Sequence, residues 1–286
     1  MDANLSSITK RTYLERLKFF IESTKKDLKD IILHPEESIE WIEKHSTSLQ
    51  TQKSYLSAIL AVFKHTPSLK ETEKDIYYKW YLAFKKVHDQ IDSKYKMNEP
   101  SLKQKEGYVP YKDIVEKRDE LKKGSKERLL LAMYTYLRPL RSDFNKVYIY
   151  EKPQKVYSYE NYIILTETPE LVLREFKTAK KKLEHIYQKE LPKNLIEEIQ
   201  HSLEKHPREW LFIDRTGEPY KSDSFTKWVN RTLKSLFGKP LTISLIRHSY
   251  INHLDFNKLT IQEKEEIAKD MAHTADTQDR YRLIFN

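Results

Sequence analysis

Apolar residues recur at helical spacing through residues 5–90 and then, after Lys146, give way to short runs rich in Tyr, Ile and Val. A change of period from roughly 3.6 to roughly 2 restricts the chain to a helical module followed by a region that contains a sheet. In ITKRTYLERLKFFIEST, Tyr13, Leu14, Leu17, Phe20 and Ile21 share one face, with Ser6 or Ser7 as the cap. LQTQKSYLSAILAVFKHT repeats the device with Tyr55, Leu56, Ile59, Leu60 and Phe63. HPEESIEWIEKH reads as a short helix opened by Pro35, and EKDIYYKWYLAFKKVHDQI as a longer one. The polar stretch DSKYKMNEPSLKQKEG has no apolar rhythm and holds Pro100 and Gly107, which marks a domain boundary. The expected division is a helical domain over 1–95, a linker over 96–107 and a second domain over 108–286.

The second domain opens with two helices, GYVPYKDIVEKRDELKK and the apolar KERLLLAMYTYL. KVYIYE, ENYIILTE, LVLREFKT and LEHIYQKELP follow, short and separated by Pro or charged turns, and predict a small antiparallel sheet. From NLIEEIQHSLEKH onward the pattern is helical again, interrupted by a strand and turn in WLFIDRTGEPY. The fold class is therefore mainly α with a small antiparallel β-sheet, α+β.

Lys and Arg number 52 against 43 Asp and Glu, a net charge of +9, and a surplus of this size suits a polyanionic partner. The absence of cysteine excludes disulfides, Cys-ligated zinc and a thiol nucleophile, and fits an intracellular protein. No run approaches the ~18 apolar residues of a membrane span, and MDANLSSITKRTYLERL lacks the pattern of a secretory signal. The expected setting is cytosol or nucleus, away from membranes. Four scattered glycines, Gly107, Gly124, Gly217 and Gly238, cannot form a dinucleotide fingerprint or a P-loop.

Four places in the second domain carry residues suited to phosphoryl transfer. TYLRPLRSDFNKVYI places Arg138, Arg141 and Asp143 at a helix-to-strand turn, where an arginine fork can grip a phosphate and Asp143 orient it. LVLREFKTAKKKLEHIY puts Lys177 at a strand end with Lys180, Lys181 and Lys182 behind it. A lysine on such a tip can protonate a leaving oxygen. LTISLIRHSYINHL sets Arg247 near the start of an apolar helix, where the macrodipole disfavours a cation unless an anion is near. MAHTADTQDRYRLIFN holds His273 and Tyr281 about two helical turns apart, so a break in the chain decides whether they meet. Singly, each has a bland reading: a surface ion pair worth ~0–1 kcal/mol, solvated lysines, a solvated arginine, or one tyrosine among 19 packed under a terminal helix.

Together, in the order Arg, Lys, Arg, His, Tyr, they resemble the signature of the tyrosine recombinases, or phage-integrase family. Ile246–Ser249 resembles its LRHS box and Met271–Tyr281 its LGHS…T…Y box. Pro139–Phe144 resembles the first arginine box in the variant form of large DNA viruses and their satellites, and Glu175–Lys181 the strand turn carrying the lysine. The match covers 107–286, and the helical module is similar in kind to the family's core-binding domain. Two departures stand out. Ser244 occupies the position three before the second arginine that is usually His or Lys, and the first box offers Arg138 as an alternative to Arg141.

The resemblance implies a site-specific recombinase or integrase of a mobile element or virus, needing neither metal nor cofactor. Arg141 and Arg247 would clamp the non-bridging phosphate oxygens, His273 would add a hydrogen bond, Lys177 would protonate the 5′ oxygen, and Tyr281 would form a 3′-phosphotyrosine link. Ser244, Arg138, Lys180 and His248 are further expected phosphate or DNA contacts. Double-stranded DNA and a homo-tetramer on two duplexes follow from the same resemblance. Only RLIFN follows Tyr281, so an exchanged C-terminal element is expected to be short or absent. Leu283, Ile284 and Phe285 are expected either in a neighbour's groove or against their own domain. A type IB topoisomerase, and a catalytically impaired DNA-binding protein of the same fold, remain the alternatives.

Overall fold

The computed structural model describes residues 6–154, 157–176 and 186–285. The chain divides into two compact units, Met1–Met97 and Asn98–Asn286.

Among the described residues the first unit holds helices alone: α1 (Ser7–Thr24), α2 (Leu28–Leu33), α3 (Pro35–His45), α4 (Leu49–His65), α5 (Pro67–Thr72) and α6 (Lys74–Lys96). Ser6 is the cap of α1, its Oγ accepting from Thr9 N at 3.1 Å. The apolar faces of α1, α4 and α6 meet in a core of Phe20, Tyr55, Ile59, Phe63 and Trp80, and the indole N–H of Trp80 donates to the Ile32 carbonyl at 3.0 Å. Leu14, grouped by spacing with the inner face of α1, is exposed.

The second unit opens with α7 (Leu102–Gly107), inside the stretch read as a linker from its polar composition. Its signal is the pair Ser101 and Gln104, which form a reciprocal capping box. Next come α8 (Tyr111–Glu120) and α9 (Lys126–Thr135), then β1 (Tyr148–Tyr150), β2 (Asn161–Ile164), β3 (Glu170–Leu173) and β4 (Tyr187–Glu190). The chain closes with α10 (Lys193–Lys205), α11 (Ser222–Phe237), α12 (Ile243–His253), α13 (Ile261–Asp270) and α14 (Ala275–Asp279).

The sheet runs in the order β1-β2-β3-β4 and is mixed, which corrects the wholly antiparallel expectation. β1 lies parallel to β2, whereas β2–β3 and β3–β4 are antiparallel. A two-residue hairpin forces reversal, but the longer connection over 151–160 lets β2 run in the same direction as β1. The strand-like WLF segment adds to the free edge of β1, Ile149 N donating to Glu209 O at 2.7 Å and Leu211 N to Val147 O at 2.8 Å.

Helix α9 is buried along Leu129–Tyr134 and packs on α8 and α10. Its one buried charge, Arg128, is answered from α10. Arg128 Nε donates to both Glu198 carboxylate oxygens at 2.8 Å, and Nη1 donates to the carbonyls of Arg118, Asp119 and Leu121. Glu198→Ala removes the buried partner of that guanidinium and leaves only the more exposed Asp119, 4.0 Å away, and should cost about 3 kcal/mol. A guanidinium-chloride unfolding curve checks this. No helix among the described residues is long and apolar enough to cross a membrane.

Candidate active site

The site is assembled where three connections of the second unit meet. In the turn after α9, the Tyr134 hydroxyl donates to the Arg141 carbonyl at 2.9 Å, and the buried ring of Phe144 packs edge-on against Tyr134. These contacts fix the backbone from which Arg141 projects. Its Nη1 donates to the Ala272 carbonyl at 3.0 Å.

Helix α12 is capped by Thr242, whose side chain accepts from Leu245 N at 3.3 Å, and Arg247 lies in its second turn with 1% exposure. Its position is not that of a solvated cation at a helix entrance. Nη1 donates to the carbonyls of Pro139 and, at 3.1 Å, Met271, and Nη2 donates to His273 Nδ1 at 2.8 Å. That contact makes Nδ1 the acceptor, so His273 Nε2 carries the ring proton. Among the described residues Arg247 Nε has no hydrogen-bond partner, which makes it a buried donor suited to an anion. Burial pulls the Arg247 pKa below the usual guanidinium value, and Tyr281 opposes the shift.

The carbonyls that hold both arginines belong to the end of α13. His273 N donates to Ala268 O and Ala272 N to Lys269 O, both at 3.0 Å, with Ala272 left-handed at φ 51°. This is a Schellman cap with alanine where glycine is usual. Two cations therefore sit at the negative end of a helix, which favours them.

The same cap turns the chain into α14 and closes the gap between His273 and Tyr281. The two rings stack with centroids 5.3 Å apart at 24°. Arg247 Cζ lies 4.7 Å from the Tyr281 ring centre, and His248 flanks it at 4.8 Å. The half-buried Tyr281 rests on a small apolar cluster of Ile251, Phe256, Ile267 and Met271.

Arg141, Arg247, His273 and Tyr281 are thus brought together. Arg138 is drawn elsewhere: its Nη1 lies 3.2 Å from Asp270 Oδ2, the oxygen that also receives Lys189 Nζ at 2.7 Å. Asp143 is half-buried and within electrostatic range of Arg247. Ser244 is exposed in the first turn of α12. His248, expected at the phosphate, instead has both ring nitrogens engaged, Nδ1 with the Tyr281 carbonyl at 2.6 Å and Nε2 with Gln104 Nε2 at 3.3 Å. Burial lowers its pKa, and the bond to the Tyr281 carbonyl opposes the shift. Lys177 and Lys180 lie outside the described residues. Sequence reasoning missed Asp270 and Gln104. The S-x-x-Q spacing of Ser101 and Gln104 is the one signal that was there to find.

No family model matches the sequence, and no curated protein matches it. Solved structures do match, and one of them gives this chain a tyrosine-recombinase fold, α+β with a small sheet. The XerH site-specific recombinase bound to palindromic difH substrate, in its post-cleavage complex, aligns with a TM-score of 0.59 at 17% identity, covering 95% of this chain and 75% of that one. The XerA recombinase aligns at a TM-score of 0.43 and 13% identity, over 99% of this chain and 89% of that one. The fold assignment rests on XerH.

Proposed function

We propose that this chain is a site-specific DNA recombinase that cuts and rejoins strands through a phosphotyrosine at Tyr281. The observation that carries the reading is the half-buried phenol of Tyr281 set beside Arg247, whose buried Nε is available to an anion, with Arg141 anchored to the same helix cap. A phenol with a pKa near ~10 is a weak nucleophile at neutral pH. It becomes competent when fixed donors stabilise the charge that develops on the phosphate. Tyr281 Oη releases its proton to solvent and bonds to phosphorus, the bond to the 5′ oxygen breaks, and Arg141, Arg247 and the Nε2 proton of His273 stabilise the non-bridging oxygens. Lys177 protonates the departing 5′ oxygen. Attack by a 5′-hydroxyl from a second duplex reverses the step and exchanges strands, with bond energy conserved in the phosphotyrosyl link.

The net charge of +9 fits a double-stranded DNA partner, and the similar XerH structure is a complex with its DNA substrate. On this reading residues 1–95 form the core-binding domain, four copies act on two duplexes, and the protein works inside the cell.

The test is covalent trapping. The full chain is mixed with nicked duplexes from the sequence flanking its own gene, denatured, and its DNA-bearing peptides identified by mass spectrometry. An adduct on Tyr281 supports the reading. Tight, salt-sensitive binding without an adduct would favour an impaired DNA-binding protein, and relaxation of supercoils without exchange between duplexes would favour a topoisomerase. The two first-box arginines also separate in this assay. Arg141→Ala should slow adduct formation by about 10²–10³-fold, the cost of one lost charge-stabilising donor. Arg138→Ala, which breaks an ion pair to Asp270, should slow it less than about tenfold.

A further inference from the structure

We infer that Gln104, on the short helix α7, is a positioning residue for the nucleophile and acts through His248. The inference rests on the recombinase reading above. Gln104 Oε1 accepts Ser101 N at 2.8 Å while Ser101 Oγ accepts Gln104 N at 3.3 Å. The amide cannot flip without losing the Ser101 bond, so its NH2 group is the one presented to His248 Nε2. On the other side of the ring, the Tyr281 carbonyl can only accept, so His248 Nδ1 must donate. One neutral tautomer satisfies both contacts, with the proton on Nδ1 and the lone pair on Nε2. The groups facing the ring are Gln104 from α7, the carbonyl and ring of Tyr281, and Arg247 from its own helix.

Helix α7 is itself seated tightly. A Cβ on Gly107 would lie 2.5 Å from the Pro240 carbonyl oxygen and 2.7 Å from Leu245 Cδ1, so the end of α7 lies directly against the entrance of α12. The residues after Tyr281 return to the same segment. Ile284 N donates to the Asn98 carbonyl at 2.9 Å, and the Phe285 ring packs on Tyr108 at 4.3 Å. Asn252 brackets Leu283, its side-chain amide donating to Leu283 O and accepting from Leu283 N, both at 2.9 Å. The tail thus docks on its own unit: the Tyr281 carbonyl is held by His248, and three and four residues on, Ile284 and Phe285 are held by the 98–108 segment. Loss of the Gln104 donor frees the ring to change tautomer or rotate, which moves the nucleophile without touching DNA.

The experiment compares two variants of the full chain on nicked duplex. Gln104→Met keeps the length of the side chain and removes both its donor to His248 and its acceptor for Ser101 N. Gln104→Glu keeps the capping box and pairs with a protonated His248. At saturating DNA, Gln104→Met should form the adduct about five- to tenfold more slowly, with Kd changed less than about twofold, because one positioning hydrogen bond is lost. A carboxylate beside the ring raises the His248 pKa, so the pairing is present below that value and lost as pH rises through it. Gln104→Glu should therefore recover the rate at low pH and lose it on raising pH, a fall that the unmodified chain does not show. In an NMR titration, which needs no DNA chemistry, His248 should titrate higher in Gln104→Glu than in the unmodified chain. An adduct formed equally fast by Gln104→Met, or a His248 pKa indifferent to Gln104→Glu, would overturn this inference alone. An unmodified chain that binds DNA and forms no adduct would overturn both it and the recombinase reading.

Discussion

Tyr281→Phe should abolish the covalent adduct, a loss of at least about 10⁴-fold, since removing a nucleophile leaves only residual catalysis. Its affinity for DNA should stay within about threefold, because the substitution removes one hydroxyl and no cation. The ring should keep its place. It stacks on His273 at 5.3 Å, faces Arg247 at 4.7 Å and rests on Ile251 and Met271, ring contacts that remain when the hydroxyl and its interaction with Arg247 are lost. Denaturing gels on nicked duplex read the adduct, and fluorescence anisotropy at fixed salt reads the affinity. An adduct that survives in this variant would assign the nucleophile elsewhere.

The second large effect is expected at Arg247. One guanidinium serves the Pro139 and Met271 carbonyls and His273 while lying over the Tyr281 ring. A lysine has a single compact ammonium and cannot reproduce that planar fork. Arg247→Lys should slow adduct formation by about 10²–10³-fold, the loss of a preorganised donor to the transition state. It should also destabilise the fold by about 1–3 kcal/mol through an unsatisfied buried carbonyl. Burial lowers the pKa of a lysine, so the charged form exists only below the depressed value. The residual rate should therefore fall as pH rises through it. Single-turnover rates across pH, beside a thermal melt, measure both consequences.

Short-range chemistry was the legible part of this protein. Helical spacing around Leu17, Phe20, Ile59 and Phe63 marked the faces that build the first core. The four strands fell at the four short segments that read as strands, β1 and β2 where Tyr and Ile cluster. The boxes around Arg247, His273 and Tyr281 are local, and the residues they name converge. Helices α2, α5 and α7 span only six residues each, too short for a period to show. Strand direction was hidden because nothing local to β1 or β2 records which way the connection returns. The P-L-R-S-D-F box favoured Arg141 over Arg138, but the contacts that separate the two arginines, with Ala272 and Asp270, lie some 130 positions away and leave no mark in the box. Gln104 meets His248 across 144 positions, and no pattern within α7 names that partner.

The cap at the end of α13 has a consequence for how closely the site must be built. Arg141 and Arg247 leave different parts of the chain, yet they hang from consecutive carbonyls, Ala272 and Met271. Their separation is therefore gauged by a single peptide unit, whose dimensions are fixed by covalent geometry. Small drifts of α12 or of the turn after α9 can be absorbed in the flexible stems of the side chains while the two charged ends keep their spacing. The cap acts as a ruler, and the surrounding helices are free to vary so long as it is preserved.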